Sequence, residues 1–142
     1  EPHATSLEAQ QTGYIVASLG TDSGYVPYTA FCARKSYYAD HADTLQHFTN
    51  ALQKGMDYTA THSAQEIASI IQPQFKETDL DTITTIVTRY QCQDTWKTDL
   101  IFEQSSFELL ENILMEAGEL DSFVPYNELV DTSYAQKAIA DK

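Results

Sequence analysis

Positive charge is scarce in this sequence: 8 Lys and Arg stand against 21 Asp and Glu in 142 residues, a formal charge of −13. The summed field repels phosphate backbones and anionic headgroups, which makes nucleic acid and membrane surfaces poor partners. Cysteine is equally rare. Cys32 and Cys92 lie far apart and outside any C-x-x-C pattern, which excludes a zinc knuckle or a thioredoxin-type motif built from them. A single disulfide between them stays open, and isolated cysteines are usually small buried hydrophobes. No run of about 18 apolar residues is present for a spanning helix, and no basic segment leads into an apolar stretch as in a signal peptide. A G-x-x-x-x-G-K-[ST] loop and a G-x-G-x-x-G turn are both missing, so no motif cradles a nucleotide. No internal period of the length that solenoids use is visible.

What is there is ordinary globular material. Hydrophobic residues make up 42% and charged residues 20%, unlike a disordered, collagenous or coiled-coil chain. A chain of this length buries roughly 68–70% of its unfolded surface, enough for one domain without staples.

Pro2 suits a first helical turn and Gly13 a left-handed stop, predicting a short helix over 2–12. The β-rich run Tyr14-Ile15-Val16-Ala17-Ser18-Leu19, bounded by glycines, predicts a strand, and 20–24 a loop. Tyr28-Thr29-Ala30-Phe31-Cys32-Ala33 predicts a second strand. Leu45, Phe48, Leu52 and Met56 then line one face of a helix from about 43 to 59, whose opposite, polar face carries Gln46, Asn50, Gln53, Lys54 and Asp57. Ser63-Ala64-Gln65-Glu66 is a capping box before Ile67, Ile70 and Ile71, and Pro73 stops that helix. Thr78 can cap the next, whose face is Leu80, Ile83, Ile86, Val87 and Tyr90. After a polar connection holding Trp96, Ser105-Ser106-Phe107-Glu108 repeats the capping pattern ahead of a helix closed by Gly118. A brief helix from about 132 to 140 turns Tyr134, Ala138 and Ile139 inward. An isolated pair of strands is marginal in water, so the two strands need further neighbours.

Catalytic chemistry has no visible foothold. Asp22-Ser23-Gly24 superficially matches a serine-protease nucleophile segment, but that fold is all-β and longer, and turn chemistry accounts for the tripeptide. The G-x-S-x-G elbow fails because Asp22 occupies the serine position. His3, His41, His47 and His62 are scattered, and the spacing of His41 and His47 puts them on different sides of a helix. No metal site or cofactor is expected. Nine tyrosines, six phenylalanines and one tryptophan supply flat apolar faces with polar handles, suited to a planar ligand. Tyr25 and Tyr28 follow the glycine loop directly, where rings can face a cleft, although they could equally pack across a strand start. Tyr37, Tyr38, Tyr58, Tyr90 and Phe102 read as packing residues, and Trp96 as an anchor for its connection.

The order of segments resembles the later part of ABC-transporter substrate-binding proteins of the thiamine-pyrimidine-precursor-like family, related to nitrate, sulfonate and taurine receptors. The residues that carry it are Glu1-Pro2, Val16-Ala17-Ser18-Leu19-Gly20 and Gly24-Tyr25-Val26-Pro27-Tyr28-Thr29-Ala30-Phe31. Phe48-Thr49-Asn50-Ala51-Leu52, Glu77-Thr78-Asp79-Leu80, Asp94-Thr95-Trp96-Lys97 and Ala117-Gly118-Glu119-Leu120 extend it along nearly the whole chain.

The resemblance implies an α/β fold, the C-terminal portion of a two-lobe type II periplasmic-binding-protein-like architecture, mostly helical with two or three strands. Residues 1–142 would form one partial domain, with about 1–27 ending one lobe and crossing over, and about 28–142 returning to the other. Glu1 as first residue and two orphan strands would follow from an absent early lobe, and a homodimer formed by pairing or exchanging strands would cover their edges. The implied function is capture of a small, flat heterocycle outside the cytoplasmic membrane and its delivery to ABC permease subunits, without bond chemistry. Glu1 would accept hydrogen bonds from an aminopyrimidine edge, and Tyr25 or Tyr28, next to Gly24, would stack on the ring. A helix N-terminal acid is the alternative for Glu1. Oxyanions fit less well, since no Arg or Lys neighbours Glu1 or Tyr25 in the sequence. Two other classes stay open: a free-standing acidic helical interaction domain, and a pyrimidine-synthase-like enzyme, whose cysteine-rich segment is not visible.

Overall fold

The computed structural model describes residues 1–141. Its elements are α1 (His3–Ala9), α2 (Leu19–Asp22), α3 (Lys35–Asp40), α4 (Ala42–Thr61), α5 (Ala64–Ile71), a 3-10 turn (Gln72–Gln74), α6 (Leu80–Cys92), α7 (Gln104–Glu116), α8 (Tyr126–Leu129) and α9 (Ser133–Ala140). The chain forms two compact units, Glu1–Asp22 with Met56–Thr98 and Ser23–Gly55 with Asp99–Lys142.

No residue among those described is in a strand, which overturns the α/β, type II periplasmic-binding-protein-like expectation. Residues 14–18 and 28–33 are irregular, Leu19 opens α2 instead of closing a strand, and Val16 and Tyr28 are 94% and 98% exposed. The reason is that a β-rich run becomes a strand only against a partner that completes its hydrogen-bond ladder, and neither run has one. A dimer that exchanges or pairs strand edges loses its basis with them.

In the first unit, α5 and α6 enclose Ile67, Ala68, Ile83 and Val87, with Tyr58, Leu80 and Trp96 packed against them. Each fully buried aliphatic side chain contributes about 1.5–3 kcal/mol. The capping box forms as the sequence implies: Ser63 Oγ accepts from the Glu66 amide at 3.3 Å, and the Ser63 amide donates to Glu66 Oε2 at 2.9 Å. Asp79, not Thr78, caps α6 by accepting from the Thr82 amide at 2.9 Å. Trp96 meets Tyr90 edge to face with centroids 5.7 Å apart, tying down the connection after α6.

Pro2 precedes α1 as its N-cap, and Gln11, with φ of 57°, ends the helix in place of Gly13. The Gln11 amide donates to the Glu8 carbonyl and the Thr12 amide to the Leu7 carbonyl, a Schellman pair that needs a left-handed residue at position 11.

In the second unit, Phe107 is buried between the rings of Phe102 and Tyr126, 6.0 and 5.6 Å away and both edge-on. Ala135 and Ala138 are the buried face of α9, with Tyr134 and Ile139 half-buried beside them. The polar face assigned to α4 is partly inverted: Gln46 and Gln53 are its buried residues, while Phe48 is exposed and Leu45, Leu52 and Met56 are half-buried. Gln46 tolerates burial because its amide donates to Asn50 Oδ1 at 2.8 Å and to the Tyr134 carbonyl at 3.0 Å. Ser105 does not cap α7; Glu103 stands at that position without a side-chain cap. Gly118, with φ of 73°, does close α7, and its amide and that of Glu119 donate to the Met115 and Leu114 carbonyls. Cys32 and Cys92 are both free thiols and exposed, against the expectation of burial.

Candidate functional site

Gly24, Tyr25 and Tyr28 share one irregular loop of the second unit. Gly24 has φ of 79°, a region that L side chains rarely adopt and that favours glycine. The turn closes with the Val26 amide donating to the Gly24 carbonyl at 2.9 Å. Pro27 holds the backbone before Tyr28, and the two tyrosines emerge 72% and 98% exposed. Phe31, farther along, rests edge-on against Phe48 with centroids 5.1 Å apart. The loop therefore presents two exposed rings.

Glu1 belongs to the first unit, and its carboxylate is already engaged. Oε2 accepts from the Thr5 amide at 3.0 Å, while Oε1 takes Arg89 Nη1 at 3.3 Å. Arg89 also donates to Thr5 Oγ1 at 2.7 Å and pairs with Glu8. Burial pushes the Glu1 carboxyl up, but the hydrogen bonds from Thr5 and Arg89 prevail and hold it below the usual carboxylate range. Glu8 is lowered chiefly by the Ile15 amide, which donates to its Oε1 at 2.9 Å, and then by Arg89. For Arg89 itself, burial works against the charge and the two glutamates outweigh it, raising its pKa. Glu1 thus acts as an acid at a helix N-terminus that docks α1 on α6. The absence of a cation near Glu1 along the sequence does not hold in space, because Arg89 lies against it; the guanidinium is compensated by two carboxylates.

The aromatic residues read as packing elements have ring partners. Tyr38 lies edge-on to Tyr134 at 5.4 Å and donates its hydroxyl to Asp131. That bond raises the phenol and lowers the carboxyl. Tyr37 stacks on His41 at 3.9 Å and Tyr58 on His62 at 3.6 Å, each imidazole also reaching the carbonyl of its own tyrosine. No three His, Cys, Asp or Glu side chains among the described residues converge as metal ligands. No helix is long and apolar enough to cross a membrane among the same residues.

The engagement of Glu1 by Arg89 escaped sequence reasoning, since the two are separated by most of the first unit's chain. Its sole sequence signal is the position of Arg89 in the last turn of α6, on the helix that also carries Ile83 and Val87.

Comparison with known proteins gives one curated relative, the Bacillus subtilis (strain 168) protein named "Putative binding protein YtlA". It is 39% identical over 142 residues, covering 100% of this chain and 42% of the relative. The chain therefore spans less than half the length of the protein it is similar to. No protein-family model matches the chain, and no solved structure matches it significantly.

Proposed function

We propose that this chain is part of a solute-binding component of an ABC importer that captures a small, flat heterocycle outside the cytoplasmic membrane and hands it to permease subunits. Capture needs no bond chemistry, so no catalytic role is assigned to the chain. The observation that carries the reading is the Gly24–Tyr28 loop, where a glycine-favouring turn and Pro27 hold two exposed tyrosine rings. Ring stacking on such a platform contributes about 0.5–1.5 kcal/mol beyond area burial. The printed name of the 39% identical relative supports a binding role. Pyrimidine-type heterocycles are the ligand class favoured by the resemblance described above. Tyr25 and Tyr28 carry the stacking, and Gly24 shapes the turn.

The test is thermal unfolding of the protein across a series of 4-aminopyrimidines, with Tyr25→Ala and Tyr28→Ala beside it. A rise in melting temperature with at least one compound, weakened about 2- to 10-fold in apparent affinity by either substitution, supports the reading. No shift across the series, or shifts indifferent to both tyrosines, contradicts it.

A further inference from the structure

The second unit carries a cleft of about 660 Å³ between α7 and the segment leading into α8. Its apolar lining is Phe107, Phe123 and Tyr126, and its polar lining includes Glu108, Glu111 and Asn112. Glu111 is only 7% exposed. Its Oε1 accepts from the Val124 amide at 2.8 Å, which also fixes the wall opposite α7. That is the single hydrogen bond of the Glu111 side chain among the described residues, and Oε2, which is not sealed from solvent, is open to a donor in the cleft. Glu108, one turn earlier, is steadied by Gln104 Nε2 at 2.7 Å. Tyr126 gives its hydroxyl to the Phe102 carbonyl, which pins the ring edge-on to Phe107. The ring lines the cleft, and aromatic rings attract cations.

From this arrangement we infer that the cleft is a binding site for a small organic cation, an amidinium or primary ammonium group joined to a flat apolar body. The charged head meets Glu111 Oε2, with Glu108 and the Asn112 amide near the entrance, and the body lies on Phe123 and Tyr126. A carboxylate oxygen with no protein donor favours a cationic donor over an acceptor, and the net charge of −13 raises the local concentration of cations. This site is separate from the Gly24–Tyr28 loop, and its test reads different residues.

The probe is benzamidine, with benzamide as its neutral isostere, titrated into the isotopically labelled protein and followed by amide chemical shifts in about 0.15 M salt. The expected result is saturable benzamidine shifts confined to 104–112 and 123–127, with none from benzamide at equal concentration. Glu111→Gln keeps the acceptor for the Val124 amide while removing the charge, and should weaken benzamidine about tenfold or more. Phe123→Ala, at an exposed position that spares the fold, should weaken it severalfold. Equal binding of benzamide, shifts scattered over the acidic surface, or undiminished binding by both variants would overturn the inference.

Discussion

At the scale of single residues, backbone conformation and charge compensation decide more than hydrophobicity. Gln11 occupies a left-handed position that costs an L residue about 1–2 kcal/mol relative to glycine, offset in part by the greater freedom of an unfolded glycine. Gln11→Gly is therefore expected to stabilise the protein by about 0.5–1 kcal/mol in urea unfolding. Arg89 binds Glu1, Thr5 and Glu8 together, so Arg89→Met should release α1 and speed amide exchange in residues 3–9 while leaving α5 and α6 protected. Unchanged exchange in α1 would show that the cluster does not hold it. None of this was legible in the sequence: the pattern offers Gly13 as the natural helix stop, and the pairing of Arg89 with Glu1 is purely spatial.

At the scale of elements, two similar serine motifs separate real caps from apparent ones. Ser63→Ala should cost about 1 kcal/mol, because the serine oxygen satisfies an otherwise unpaired amide of α5. Ser105→Ala should be neutral or slightly stabilising by urea unfolding, since Ser105 already lies inside α7 and alanine has the higher helix propensity. Ile83→Ala, in the α5–α6 core, should cost about 2–5 kcal/mol and Ile83→Val about 0.5–1.5 kcal/mol. These helices were readable because period, caps and breakers are local signals that agree with one another. The β-rich runs over 14–19 and 28–33 were misread because pairing is not local: the residues have strand propensity, and nothing in one segment shows whether another lies beside it. The buried glutamines of α4 were missed for a related reason, as the Tyr134 carbonyl that satisfies Gln46 comes from α9.

At the scale of the whole molecule, the excess of acids shapes the dependence on pH and salt. Glu1, Glu8, Glu66, Asp79 and Asp131 all titrate lower in the folded protein than they would unfolded. Their contribution is fully present above the ordinary carboxylate range and is lost as pH falls through the lowered folded values, below about pH 4. Tyr38 is raised by its bond to Asp131, so its contribution is present below the usual phenol range and fades above about pH 10. Melting temperatures across this range should decline at both ends, and Tyr38→Phe should flatten the alkaline limb. At neutral pH, added sodium chloride should raise the melting temperature by screening a formal charge of −13. A fall with salt would mean that the specific ion pairs outweigh general repulsion.

Of the candidate site, the sequence revealed the glycine turn and the two tyrosines, because turn chemistry and residue type are local. It did not reveal the cleft of α7 and α8, whose Glu111 looks like any surface acid until the Val124 amide is seen to donate to it. The proposal that the Gly24–Tyr28 loop holds a small flat heterocycle is decided by calorimetric titration of the 142-residue chain with 4-aminopyrimidines. Saturable binding of one equivalent that weakens with Tyr28→Ala is expected; absence of heat for every compound, or equal binding after that substitution, would mean that the loop holds no such ligand.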